Sequence, residues 1–198
     1  SNRTITAFDL QGKTNFKNAI FTGSILNSVT FKDIDLTGAN FLKATLNSVT
    51  FDNCNLTKAT FSSAKLNENT RFINKCILSN SFFFETELYG VNFESCTLTG
   101  VDFSGANLYT KIKDSQYIYT SFVNIDKFDN AVFKKAKLYG VAFKNCNLTK
   151  ADFSQADLKF ILDEEQDGEE GEGYLFTFFV DVNLEEANFT SAFLNSVL

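Results

Sequence analysis

Two groups of residues in this chain carry side chains suited to chemistry. Four cysteines, Cys54, Cys76, Cys96 and Cys146, offer thiols for a metal, a disulfide or nucleophilic attack. Seven acids crowd into LDEEQDGEEGEGY at 162–174: Asp163, Glu164, Glu165, Asp167, Glu169, Glu170 and Glu172. No base stands among them, so the run suits a cation or a basic partner. The chain has no histidine, which removes the commonest general base and the commonest metal ligand together.

Spacing decides what these groups can do. Each cysteine precedes a leucine (56, 78, 98, 148) by two residues, and no CxxC pair is present. The thiols therefore read as small buried hydrophobes, reduced and neither metal-bound nor catalytic. The acidic run has acids at EF-hand positions 1, 3 and 5 and Gly168 at position 6, but Tyr174 stands where the bidentate glutamate belongs. Three readings stay open for it: a calcium site, a partner-contact loop, and a solvated insertion. We find no Gly-rich phosphate loop, no nucleophile elbow and no framed pair of acids, and we expect neither catalysis nor a cofactor.

The elements that position these residues follow from a period of five. From Phe16 the large apolar residues fall at Phe21, Leu26, Phe31, Leu36, Phe41, Leu46, Phe51, Leu56, Phe61 and Leu66. Smaller apolar residues such as Ala39, Ala44, Val49 and Cys54 sit two positions before most of them. On an α-helix a step of five advances about 140° and scatters the phenylalanines around every face. On a straight strand an odd step alternates faces and leaves half the rings in water. The pattern is consistent if the chain turns a corner after each quintet. Four such sides close a square coil, which explains why LNSVTF at 26–31 recurs at 46–51. Phenylalanine then lines two opposite sides and leucine the other two.

At this point the sequence resembles the pentapeptide repeat protein family. Ala39-Asn40-Phe41, Ala106-Asn107-Leu108, Ala151-Asp152-Phe153, Ala156-Asp157-Leu158 and Ala187-Asn188-Phe189 match its A(D/N)(L/F)xx unit, and the likeness covers most of 14–198. The resemblance implies an all-β fold, a right-handed quadrilateral β-helix of about 20 residues per coil. A solenoid presents long regular surfaces to partners, which points to a non-enzymatic interaction scaffold. Some members, the quinolone-resistance group, act as DNA mimics on DNA gyrase and topoisomerase IV. This chain departs from them in charge. It holds 18 basic and 24 acidic residues, and seven of the acids lie in the one run, so the shaft is near neutral.

We therefore expect one domain over 1–198, with degenerate coils or a loop near 109–127 and an inserted acidic loop near 162–174. LYGVNFESCTLTGVDFSGANL (88–108) parallels LYGVAFKNCNLTKADFSQADL (138–158), which indicates growth by duplication of whole coils. Tyr89 and Tyr109 should share one outer column, with Tyr139 in the same slot on another side. Phe189, Phe193, Leu194, Val197 and Leu198 carry the apolar pattern onward without a polar cap, and we expect an end-to-end homodimer there. The expected function is a rigid scaffold for a protein partner. The alternatives are a gyrase or topoisomerase IV mimic giving quinolone protection and a calcium-responsive surface protein. The scattered lysines form no stripe, which speaks against direct nucleic-acid binding. No apolar run is long enough to span a membrane. No signal-peptide pattern is visible at Ser1, and the expected location is cytoplasmic, although reduced thiols do not by themselves fix the compartment.

Overall fold

The computed structural model describes residues 4–5, 12, 14–113, 116–158, 161–162 and 174–194. Each quintet forms a short flat side and then bends. The bend lies two residues past each large apolar residue: Ser28, Asp33, Gly38, Lys43, Ser48, Asn53, Lys58 and Ser63 all have φ between 51° and 66°. That left-handed conformation costs a residue with a Cβ about 1–2 kcal/mol. Hydrogen bonds between coils offset it. The Lys43 N–H donates to the Ser62 carbonyl at 3.1 Å, and the Asn53 N–H to that of Ile73 at 3.2 Å. Where an Asp or Asn precedes the large residue, as at 35, 40 and 55, it helps to set the bend. Asp35 Oδ1 accepts from the Thr37 N–H at 3.0 Å and from the Thr37 hydroxyl at 2.6 Å, and Asn55 and Thr57 repeat the arrangement.

Four bends bring the chain back above its start, and successive coils pair in parallel. The first wall stacks Leu26, Leu46, Leu66, Leu88, Leu108 and Leu138 in register. The second stacks Phe31, Phe51, Phe72, Phe93, Phe122, Phe143 and Phe179. The third and fourth walls are joined by single bridges, such as Asp35 to Asn55 and Asn40 to Thr60. Among the described residues there is no helix.

The interior is two opposed phenylalanine ladders. In the second wall, Phe31, Phe51, Phe72 and Phe93 stack at 5.0, 4.8 and 4.7 Å with planes within 4° of parallel. In the fourth, Phe41 and Phe61 stack at 4.7 Å, and Phe41 meets Phe51 across the shaft edge-on at 5.8 Å and 89°. The ring spacing equals the strand spacing, so backbone pairing and ring stacking reinforce each other. Each favourable ring pair contributes about 0.5–1.5 kcal/mol beyond the area it buries.

Two irregularities have definite forms. Between Leu66 and Leu78 the register shifts by one extra residue at each of two corners, at Asn69 and at the Asn74–Lys75 pair, all with positive φ. The stretch we expected as degenerate coils or a loop near 109–127 contains an antiparallel hairpin, Lys111–Lys113 against Gln116–Ile118. Ser121–Ile125 then rejoins the second wall. This corrects the placement of Tyr139. It pairs with Tyr109 as Tyr109 pairs with Tyr89, in one column of the first wall, because the residues of the hairpin make 109 and 139 neighbours. A second antiparallel pair, Ile161–Leu162 with Tyr174–Leu175, interrupts the shaft before Phe178–Asn183 resumes the second wall.

Candidate interaction surface

Both hairpins leave the shaft at the same edge. Each follows a first-wall leucine, Leu108 or Leu158, and each ends where the second wall restarts, at Phe122 or Phe179. One uninterrupted coil lies between them and turns that corner at Gly140 with φ of 72°. The Thr110 hydroxyl donates to the Gly140 carbonyl at 3.1 Å, tying the root of the first hairpin to that coil.

The first hairpin is anchored to the shaft. Lys113 Nζ reaches Glu68 Oε1 at 2.5 Å. Ile118 packs so closely over Gly90 that a Cβ there would collide with it. At the feet of the two insertions, the Tyr119 ring meets Phe178 edge-on at 6.3 Å. Lys144, from the coil between them, holds its ammonium 5.3 Å above the Phe178 ring. Tyr117, Tyr119 and Val180 are each 41–45% exposed, so this edge presents aromatic and aliphatic surface beside a cation.

The other candidate residues are placed differently. Cys54, Cys76, Cys96 and Cys146 occupy the inward slot of the third wall, in one column with Ile34 and Ile125. Their thiols donate to the carbonyls of Phe31, Phe51, Phe72 and Phe122 at 3.1–3.4 Å. The neighbouring Cys76 thiol, and then burial, push Cys54 well above the usual thiol range. The Cys54 contact lowers Cys76, but its bond with Cys96 and burial outweigh that and leave it at about 12. Burial pushes Cys146 up to about 11. These three thiols stay protonated at neutral pH and serve as packing. Among the described residues no cluster of His, Cys, Asp and Glu is arranged to hold a metal.

Asp163, Glu164, Glu165, Asp167, Glu169, Glu170 and Glu172 lie outside the described residues, as do Val197 and Leu198. Their flanks are placed, because the acidic run connects the paired Leu162 and Tyr174. Phe189 stacks on Phe153 at 4.8 Å, whereas Phe193 and Leu194 are 55% and 47% exposed. Along the shaft, charges of opposite sign meet between adjacent coils, as in Lys17–Asp35 at 3.2 Å and Lys65–Glu87 at 3.3 Å. Such exposed pairs contribute at most about 1 kcal/mol each, but they break up any stripe of a single sign.

Sequence reasoning missed the shared edge and the Tyr119–Phe178–Lys144 cluster. The count of quintets hides this edge: it sets Leu108 and Leu158 on opposite walls, and only the residues of the first hairpin, which stand outside the count, bring the two leucines onto the same one.

Two models of the repeat match the chain: one described as a pentapeptide repeat region over residues 12–74, the other as pentapeptide repeats in 8 copies over 76–109 and 127–159. The chain belongs to the pentapeptide repeat family. The unmatched gap at 110–126 contains the first hairpin, and the match ends at 159, just before the second. No curated protein sequence matches the chain. Among solved structures, it is similar to HetL, a pentapeptide repeat protein involved in heterocyst differentiation regulation in Nostoc. The identity is 15% over 98% of this chain and 84% of that one, with a TM-score of 0.46. It is also similar to QnrB1, a plasmid-mediated fluoroquinolone resistance protein, at 18% identity over 98% and 85% with a TM-score of 0.39. A thylakoid-lumen pentapeptide repeat protein of Arabidopsis thaliana is 25% identical over 52% of this chain and 63% of that one, with a TM-score of 0.25. These likenesses concern fold alone.

Proposed function

We propose that this chain is a rigid, non-enzymatic scaffold that recognises a protein partner along the edge shared by its first and second walls. The observation that carries this reading is the emergence of both insertions from one edge, two coils apart. A solenoid offers four long regular faces, and only an irregular feature distinguishes one of them. The neutralised shaft favours local recognition at this edge over a duplex-like charge field along the rod.

A photo-cross-linking residue at position 117 or 119 tests the reading. It should capture a discrete protein in an extract of the native host, and the same residue at Thr57 or Thr149, on the third wall, should not. Equal capture at both places, or none at the edge, overturns the proposal. Gyrase and topoisomerase IV form the alternative within the family. Their supercoiling and decatenation assays, with and without ciprofloxacin, show whether they respond to the added protein. If they do, deleting 163–173 shows whether the acidic run is responsible.

The end-to-end homodimer belongs to the same proposal. The exposed Phe193 and Leu194 support it. Sedimentation at micromolar concentration should give twice the monomer mass, and a strictly monomeric species rejects it.

A further inference from the structure

The corner between the second and third walls takes five residues in most coils, as from Phe93 to Leu98 and from Phe143 to Leu148. The coils on either side of Phe93 take six there, from Phe72 to Leu78 and from Phe122 to Phe128. The added residues lie at the Asn74–Lys75 turn, where both residues have positive φ, and at Asp126. Two enlarged corners flank one of ordinary size, and the middle corner is recessed between them. The result is a cleft of about 330 Å³ lined by Lys75, Ser95, Cys96, Thr97, Asn124, Asp126 and Lys127.

We propose that this recess binds a phosphate-class oxyanion. Its lining is rich in hydrogen-bond donors. Elsewhere the corner side chains bond between coils, with Asn53 Nδ2 donating to Asp33 at the corner below and Asn74 Nδ2 to Asp52 beside the corner below, each at 2.8 Å. Here the series stops. Asn124 Oδ1 accepts from Asn145 Nδ2 at 3.0 Å, but the next corner is Ser95, and the Asn124 amide has no acceptor among the described residues. The hydroxyls of Ser95 and Thr97 and the ammonium groups of Lys75 and Lys127 likewise have no partner among the described residues. Five residues that carry such donors, drawn from three coils, line one opening, and a tetrahedral oxyanion offers acceptors in several directions.

Asp126 is the single carboxylate in this lining and leaves it with one net positive charge. A carboxylate repels an oxyanion unless the ligand brings a proton for it to accept. Phosphate at neutral pH carries a P–OH group and sulfate carries no proton, so Asp126 selects phosphate over sulfate.

The test is titration of the full chain, labelled with nitrogen-15, with inorganic phosphate, sulfate, or phosphoserine at matched ionic strength. Phosphate should give saturable shifts confined to the Asn124 side-chain amide and the Ser95–Thr97 backbone, with sulfate weaker. The pair Lys75→Asn and Lys127→Gln, which keeps a corner-compatible residue at 75, should weaken phosphate binding roughly tenfold without moving the thermal midpoint. Asp126→Asn should abolish the preference over sulfate. Saturation by phosphoserine as well would show that the site also accepts a protein-borne phosphoryl group. No saturable shift with phosphate or phosphoserine, or the same shift in the double lysine variant, overturns the proposal. Equal response to phosphate and sulfate in the unaltered chain overturns the role of Asp126.

Discussion

Ser81 fills an inward slot that Ala39, Ala59, Ala131 and Ala151 fill in other coils, and its buried hydroxyl has no hydrogen-bond partner. A buried hydroxyl without a partner costs free energy that a methyl group does not. Ser81→Ala should therefore stabilise the protein by about 1 kcal/mol, read as a higher urea midpoint at unchanged slope. Tyr139 gives a pH prediction. Burial, and then its 2.8 Å bond to Asp157, raise its hydroxyl from 10.0 to about 12. The fold thus holds the neutral phenol more tightly than the unfolded chain does. Its contribution is complete below pH 10 and is lost as pH rises from there towards 12. Tyr139→Phe should flatten the fall in thermal midpoint across that window, and an unchanged profile would show that Tyr139 does not contribute to it.

The first hairpin depends on the shaft it lies against. Gly90 has φ of 61°, and a Cβ there meets the Ile118 methyl. Gly90→Ala should loosen the hairpin while leaving the coils intact. Hydrogen exchange at 116–118 should then speed up roughly tenfold or more, a loss of over a kilocalorie of local protection, whereas exchange at Phe51 stays slow. The sequence revealed this element only as a lapse in the repeat. Its main anchor, Lys113 to Glu68, joins residues 45 apart in the chain, and no local pattern announces such a contact. The coils were legible because every quintet restates the same demand, a large residue inward and a left-handed bend two residues later. Tyr139 was assigned to the wrong side because the inserted residues upset the count without disturbing the motif around it.

At the scale of the molecule, stability is a sum over coils and the contacts between neighbours. Excising 37–56 removes one whole coil and joins Leu36 to Thr57 in register, so the shortened chain should fold cooperatively with its β-sheet circular dichroism retained. Excising 37–54 removes two residues fewer and leaves the extra pair Asn55–Leu56 at one corner, so that chain should unfold at a lower temperature than the whole-coil deletion. Equal midpoints for the two would contradict the square coil. The two projections on the shared edge are separated by two stacking steps, roughly 10 Å at the usual strand spacing. A partner that grips both must match that interval, and duplicating or deleting a coil changes it by one whole step. The rod is thus a ruler with fixed graduations, and its reach can be retuned only in discrete increments.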